Sequence, residues 1–260
     1  NVTEDADLDA NAPDLVTRGP AFATIVDDIT ARPALAPAPV QTANVPFLFV
    51  GSVWSGRTRE RLRTTMTFAD RYGPWSIIAG ASEGTGSAFA RKVAAKGVNC
   101  ILIARREAPL AALAEQIRVE SNVECVTASI DLSAPDACDR IVATAGSREV
   151  GLFISNAGSD PNGSHFLDRK IETWIELANI NQLTTMRCCH HFGGLMKARR
   201  RGALLLVGSQ ACYGGGKFLA TYSGSKAFAL CFAESLWAEL KPSNVDVLYF
   251  ALAQTDTPAL

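Results

Sequence analysis

Residues 75–105 read WSIIAGASEGTGSAFARKVAAKGVNCILIAR, and this stretch decides the fold. "WSIIAG" is a short apolar run that stops on glycine, as a buried strand does. "SAFARKVAAKG" carries its apolar residues at helical spacing and ends on glycine, where a helix terminates. "NCILIAR" is a second apolar run. Strand, helix and strand within about thirty residues form one βαβ unit, because neighbouring parallel strands need a crossover connection.

The rhythm then repeats. "APLAALAEQIRVE" at 108–120 reads as a helix and "VECVTASIDL" at 123–132 as a strand. "DACDRIVATAG" at 136–146 is helical, and "GLFISNAG" at 151–158 is a strand. A long helical stretch covers 171–199, "GALLLVGS" at 202–209 is a strand, 222–241 is helical, and "VDVLYFAL" at 245–252 is a strand. Apolar strands alternating with helices predict an α/β fold, a doubly wound parallel sheet of six strands with helices on both faces.

In front of this unit the composition changes. Residues 1–44 are rich in Ala, Pro, Asp and Thr, with ARPALAPAPVQTAN at 31–44, and read as an extended or irregular arm. Residues 45–70 read as a strand, PFLFVGSVW at 46–54, followed by a polar helix, RTRERLRTTMTFAD at 57–70. The main domain is taken as 71–260.

Composition excludes several classes. The chain of 260 residues is 48% hydrophobic and 20% charged with a net charge of −1, so no nucleic-acid or anionic-membrane partner is expected. No apolar run is long enough for a membrane span, and no secretory leader is visible. The seven cysteines form no C-x-x-C pair and the histidines number three, so no metal site is expected. Free thiols suit a reducing, cytoplasmic setting.

The turn after the first strand carries the chemistry. "GASEGTG" at 80–86 has the spacing GxxxGxG between a strand and a helix. Glycine lets the backbone approach a pyrophosphate with no Cβ in the way, and the helix N-terminus offers free N–H groups and a positive dipole end. Gly80, Ser82, Glu83, Gly84, Thr85 and Gly86 are therefore candidate dinucleotide-binding residues. At the end of the second strand Ala104 holds the position where an acid would bind ribose hydroxyls, and Arg105 and Arg106 follow. Guanidinium groups suit a 2′-phosphate, which favours NADP(H) over NAD(H). The alternative is a solvated basic turn. Glu83 counts against phosphate, since it adds negative charge nearby. Asp131 either accepts from the adenine amino group or caps a helix.

"GASEGTG", "SNAG" at 155–158, "GS" at 208–209 and "YSGSK" at 222–226 follow in this order, and with them the chain resembles the short-chain dehydrogenase/reductase family from about residue 72 to 260. Its stretches look most like the hydroxysteroid and 3-ketoacyl reductase branches. The resemblance implies a Rossmann-like sheet in the order 3-2-1-4-5-6 and an enzyme that transfers hydride between NADP(H) and a carbonyl or secondary alcohol on an apolar small molecule. It implies Tyr222 as acid/base, Lys226 lowering the tyrosine pKa and holding the nicotinamide ribose, and Ser209 binding the substrate oxygen. Asn181 would support a water in the proton relay, with Asn179 as a near alternative. Asn156, Ala157 and Gly158 would border the cofactor, and Thr255 and Thr257 would contact the nicotinamide end. Long helices with apolar faces are similar to the family's homodimer or homotetramer faces, although core faces look the same.

Three departures stand out. Ser155 replaces the first asparagine of the family's Asn-Asn-Ala-Gly. Leu252-Ala253 replaces its usual Pro-Gly, which puts the turn before Thr257 in doubt. The chain stops at Leu260, where the family continues through a covering loop and a further strand. Residues 45–70 are expected to supply that edge strand and helix beside "VDVLYFAL" in a permuted arrangement; a disordered or partner-binding extension is the alternative. Two other functions compete: a non-catalytic nucleotide-binding subunit acting through its N-terminal extension, and a sugar epimerase.

Overall fold

The computed structural model describes residues 66–158, 160 and 163–252. Its first element, α1 (Phe68–Tyr72), begins only after a capping box at Thr67, whose hydroxyl accepts from the Asp70 amide while the Asp70 carboxylate accepts from the Thr67 amide. Of the helix expected over 57–70, residues 68–70 are helical, but Thr67 is extended and caps them, so a new helix begins there; residues 57–65, like the strand expected at 46–54, lie outside the described residues.

The βαβ rhythm then unfolds as β1 (Trp75–Ala79), α2 (Gly84–Ala94), β2 (Asn99–Ala104), α3 (Glu107–Ser121), β3 (Cys125–Ser129), α4 (Ala137–Ala145) and β4 (Val150–Ser155). After it come α5 (Ile171–Ala178), a π-helical turn over Asn179–Leu183, α6 (Thr184–Arg199), β5 (Gly202–Ser209), α7 (Ala220–Leu240) and β6 (Val245–Leu252). All strands pair in parallel, in the order β3-β2-β1-β4-β5-β6, as the resemblance implies.

Alternation along each strand builds two cores. Ile78, Leu102, Ile154 and Leu205 face one side and pack with Phe89 and Val93 of α2 and Leu110 and Ile117 of α3. Ile77, Ile101, Phe153 and Leu204 face the other, against Ile141 of α4 and Cys188, Phe192 and Met196 of α6. Because both faces are covered, the strands read as continuous apolar runs. The order reverses between β1 and β4, and the crevice that opens at their C-terminal ends is the place where this architecture binds ligands. All seven cysteines are free thiols. No helix among the described residues is long and apolar enough to cross a membrane.

Among the described residues β6 is an edge strand, and α1 is fastened to its start. The Asp246 carboxylate accepts from Arg71 Nε at 3.2 Å, from Arg71 Nη2 at 2.9 Å and from the Tyr72 hydroxyl at 2.8 Å. Gly151 makes this possible, since a Cβ there would lie 2.3 Å from the Tyr72 carbonyl oxygen. Asp246→Ala removes the acceptor shared by the Arg71 guanidinium and the buried Tyr72 phenol. It is expected to lower unfolding free energy by about 1–3 kcal/mol, read from urea denaturation at unchanged slope.

Candidate active site

The glycine turn shows why each small residue is there. Gly80 leaves β1 at φ +87°, and its amide and that of Ala81 donate to the Ile103 carbonyl. Gly84, at φ +55°, already belongs to α2, so the last two glycines of the motif form the helix's first turn rather than preceding it. A Cβ on Gly86 would sit 1.9 Å from the Gly80 carbonyl oxygen. The helix start is therefore pressed onto the strand end at backbone distance. Glu83, the N-cap, makes no side-chain cap, which leaves the first N–H groups of α2 for an anion.

Asn156 fastens this loop to β4. Its Nδ2 donates to the Gly80 carbonyl at 2.9 Å, and its Oδ1 accepts from the Thr85 hydroxyl at 2.8 Å. Ser155 keeps a hydrogen bond where the family has asparagine, pairing its hydroxyl with that of Thr185 at 2.7 Å.

A cleft of about 840 Å³ runs from this turn across the sheet's C-terminal edge. Gly80, Ser82, Glu83, Gly84, Thr85, Arg105, Arg106, Asp131, Asn156, Ala157, Gly158, Ser209, Tyr222 and Lys226 all line it. Gly86 lies behind the loop as a packing residue, and Thr255 and Thr257 lie outside the described residues. At the adenosine end Arg106 pairs with Glu83 (Nη2 to Oε2, 2.5 Å), which neutralises the charge that counted against a phosphate there. Arg105 is exposed beside it. Asp131 forms a local turn, its Oδ1 accepting from the Ser133 amide at 3.0 Å and hydroxyl at 2.8 Å; the amide bond chiefly holds its carboxyl below the usual range.

At the other end four side chains converge. Tyr222 and Lys226 lie one turn apart on α7, with Lys226 Nζ 5.4 Å from the Tyr222 ring centroid. Lys226 is only 4% exposed and reaches the Val207 carbonyl at 3.4 Å. Burial lowers its pKa from 10.5 to about 8. Ser209 ends β5, its hydroxyl turned to accept from the Ala211 amide at 3.2 Å. The π-helical turn widens the helix by one residue and delivers Asn181 to the same place. A Cβ on Gly158 would lie 1.8 Å from Asn181 Oδ1 and 3.1 Å from Lys226 Nζ, so Gly158 is the gap through which these two groups approach. Both polar atoms of the buried Asn181 amide lack a hydrogen-bond partner among the described residues. The rival Asn179 instead donates to the Ser133 carbonyl at 3.1 Å.

Sequence reasoning missed the wall made by Thr173, Glu176, Leu177 and Ile180. Their spacing is that of one helical face, the signal by which they can be found. Leu219 and Leu252 complete the apolar lining. His165 stacks edge-on against Phe218, beside Leu219, with centroids 4.6 Å apart. No group of His, Cys, Asp or Glu among the described residues is arranged to hold a metal.

These residues fit a dinucleotide: a glycine cradle that a Cβ would fill, free helix N–H groups, a cation beyond β2, and an unpartnered buried amide opposite. The comparisons agree. The family model for short chain dehydrogenase matches residues 75–260. A 7beta-hydroxysteroid dehydrogenase of Mediterraneibacter gnavus is 32% identical over 195 residues, 75% of this chain and 74% of that protein. A very-long-chain 3-oxoacyl-CoA reductase of Laccaria bicolor is 35% identical over 69% of this chain, which spans 54% of that relative. The solved structure of a short-chain dehydrogenase from Sphingobium yanoikuyae in complex with NADPH superposes with a TM-score of 0.67 at 28% identity, covering 71% of this chain and 72% of that one.

The buried lysine has a measurable signature in the free protein. Its folded pKa lies below the unfolded value, so the cost of charging it is fully present below about pH 8 and is relieved as pH rises toward 10.5. Wild-type stability relative to Lys226→Met is therefore expected to rise between these limits by roughly 2–3 kcal/mol. Chemical denaturation of both proteins at each pH reads it, with other titrating groups cancelling in the difference.

Proposed function

The chain belongs to the short-chain dehydrogenase family, and we propose that its NADP(H)-dependent hydride transfer acts on the carbonyl, or the corresponding secondary alcohol, of an apolar substrate with Tyr222 as acid/base. One observation carries this reading: Ser209 of β5 with Tyr222 and Lys226 of α7 meet at the far end of the cleft that starts at the glycine turn, and Asn181 of the π turn comes in behind them at Gly158. A subunit that only bound nucleotide has no need of that convergence.

Bound NADPH supplies the hydride; the protein's own groups hold it and move the proton. The glycine turn and the α2 N-terminus would hold the pyrophosphate, and Arg105 the 2′-phosphate. Ser209 donates to the substrate oxygen as charge develops there, and Tyr222 hands it the phenolic proton. Lys226 restores that proton. With its pKa lowered to about 8 it is still charged at neutral pH yet gives the proton up more readily than a solvated lysine. The Asn181 amide, without a hydrogen-bond partner among the described residues, serves the relay beside it. Leu177, Ile180, Leu219 and Leu252 supply an apolar wall for the substrate, in keeping with the hydroxysteroid and very-long-chain oxoacyl names of the relatives. Leu183, Met186 and Leu195 are exposed on the π turn and α6, and support a homo-oligomeric contact. The free thiols support a cytoplasmic location.

Turnover on a panel of bulky ketones with NADPH tests the reading. Tyr222→Phe is expected to lower kcat at least 100-fold while leaving NADPH binding within about twofold; full activity in that variant sinks the mechanism. Arg105→Ala is expected to weaken NADPH about tenfold or more and NADH little, by fluorescence titration. An equal loss for both coenzymes defeats the phosphate assignment.

A further inference from the structure

Tyr249 lies in β6, paired in register with Leu206 of β5, and does not line the cleft. Its ring crosses the backbone of Gly208: a Cβ on that glycine would lie 1.9 Å from Tyr249 Cζ and 2.0 Å from the hydroxyl. The hydroxyl is thereby carried under the end of β5. It accepts from the Ser209 amide at 3.2 Å and lies 3.2 Å from the Lys226 carbonyl and 3.5 Å from the Ser209 carbonyl. A phenol has one proton to give, and the Lys226 carbonyl is the nearer acceptor.

The consequence is a closed set of ties around the reacting groups. The Lys226 side chain reaches the Val207 carbonyl. The Lys226 carbonyl is held by Tyr249, and Tyr249 holds the Ser209 amide. Lys226 is thus fastened to the end of β5 twice, by its side chain to Val207 and by its backbone through Tyr249 to Ser209. Burial raises the phenol's pKa well above its ordinary value, so the hydroxyl keeps its proton across the working pH range. Gly208 is required because any side chain occupies the place of the ring.

We propose that Tyr249 is a positioning residue that sets the spacing between Ser209 and the α7 turn bearing Tyr222 and Lys226, through backbone hydrogen bonds and without touching substrate. The role rests on the hydride-transfer reading of Ser209 and Tyr222. Displacing a general acid from its partner by a fraction of an ångström lowers the reaction rate while leaving coenzyme contacts on the other side of the cleft intact.

Tyr249→Phe keeps the ring over Gly208 and removes only the hydroxyl. It is expected to lower kcat about tenfold with NADPH affinity within about twofold of wild type. In a Ser209→Ala background the same change is expected to cost less than about threefold, because residues acting as one unit are not additive. An unchanged kcat, or the same factor in both backgrounds, overturns the proposal. A readout that needs no turnover separates its failure from that of the enzymatic reading. Exchange of the Ser209 amide hydrogen in the free protein, followed by NMR, is expected to be about tenfold faster in Tyr249→Phe. If wild type reduces no ketone, the enzymatic reading fails and this measurement alone decides the tie: faster exchange upholds it, and equal exchange removes it.

Discussion

The rest of the site is arranged around one expensive group, the ammonium of Lys226. It is buried without a carboxylate partner among the described residues, and burial alone accounts for its lowered pKa. A buried cation is ordinarily paired or neutralised. Here it has one long contact to a backbone carbonyl, a tyrosine ring, and nearby an asparagine amide with no hydrogen-bond partner among the described residues. Local rules of folding are broken at functional sites and compensated elsewhere. The compensation is the doubly covered sheet, whose two cores hold β5 and α7 whatever the lysine costs.

That rigidity is spent on strand ends. The glycine turn, Asn156 and Gly158 join the ends of β1 and β4, while Val207, Ser209 and Tyr249 join those of β5 and β6 to α7. Both sets use backbone groups on at least one side, so the geometry is fixed by main-chain position more than by side-chain rotamer. Close approach is the common device. At Gly86, Gly158 and Gly208 a single methyl group would collide with the atom that matters.

What could be read beforehand follows from this division. Strand and helix periodicity is a local signal, and β1 to β6 fall within a few residues of their expected places. The phosphate turn is also local. Asn181 depends on a π turn that no periodicity announces, because one added residue in a helix leaves the apolar pattern of α5 and α6 on either side intact. The Glu83–Arg106 pair joins residues that only the β1–β2 pairing brings together, so Glu83 read as an isolated repulsive charge. Tyr249 was invisible for the same reason: in "VDVLYFAL" it is one more strand residue, and its meaning lies in a glycine forty-one positions earlier (249 − 208 = 41).

The pairing of Glu83 also divides the labour between the two arginines. Exposed ion pairs are worth little, roughly 0–1 kcal/mol, so the contact does not hold Arg106 against a competing dianion by strength. It acts through charge arithmetic. With Glu83 and Arg106 cancelling, Arg105 is the cation left to meet a phosphate beyond β2, with the Asp131 carboxylate interacting with it through space. A 2′-phosphate at Arg105 would compete with the through-space pull of Asp131 but with no salt bridge described there; one at Arg106 would first have to displace Glu83 and then sit beside it. On the proposed reading, discrimination between the two coenzymes falls to Arg105, and Arg106 screens the glycine turn so that the α2 N-terminus can accept the pyrophosphate.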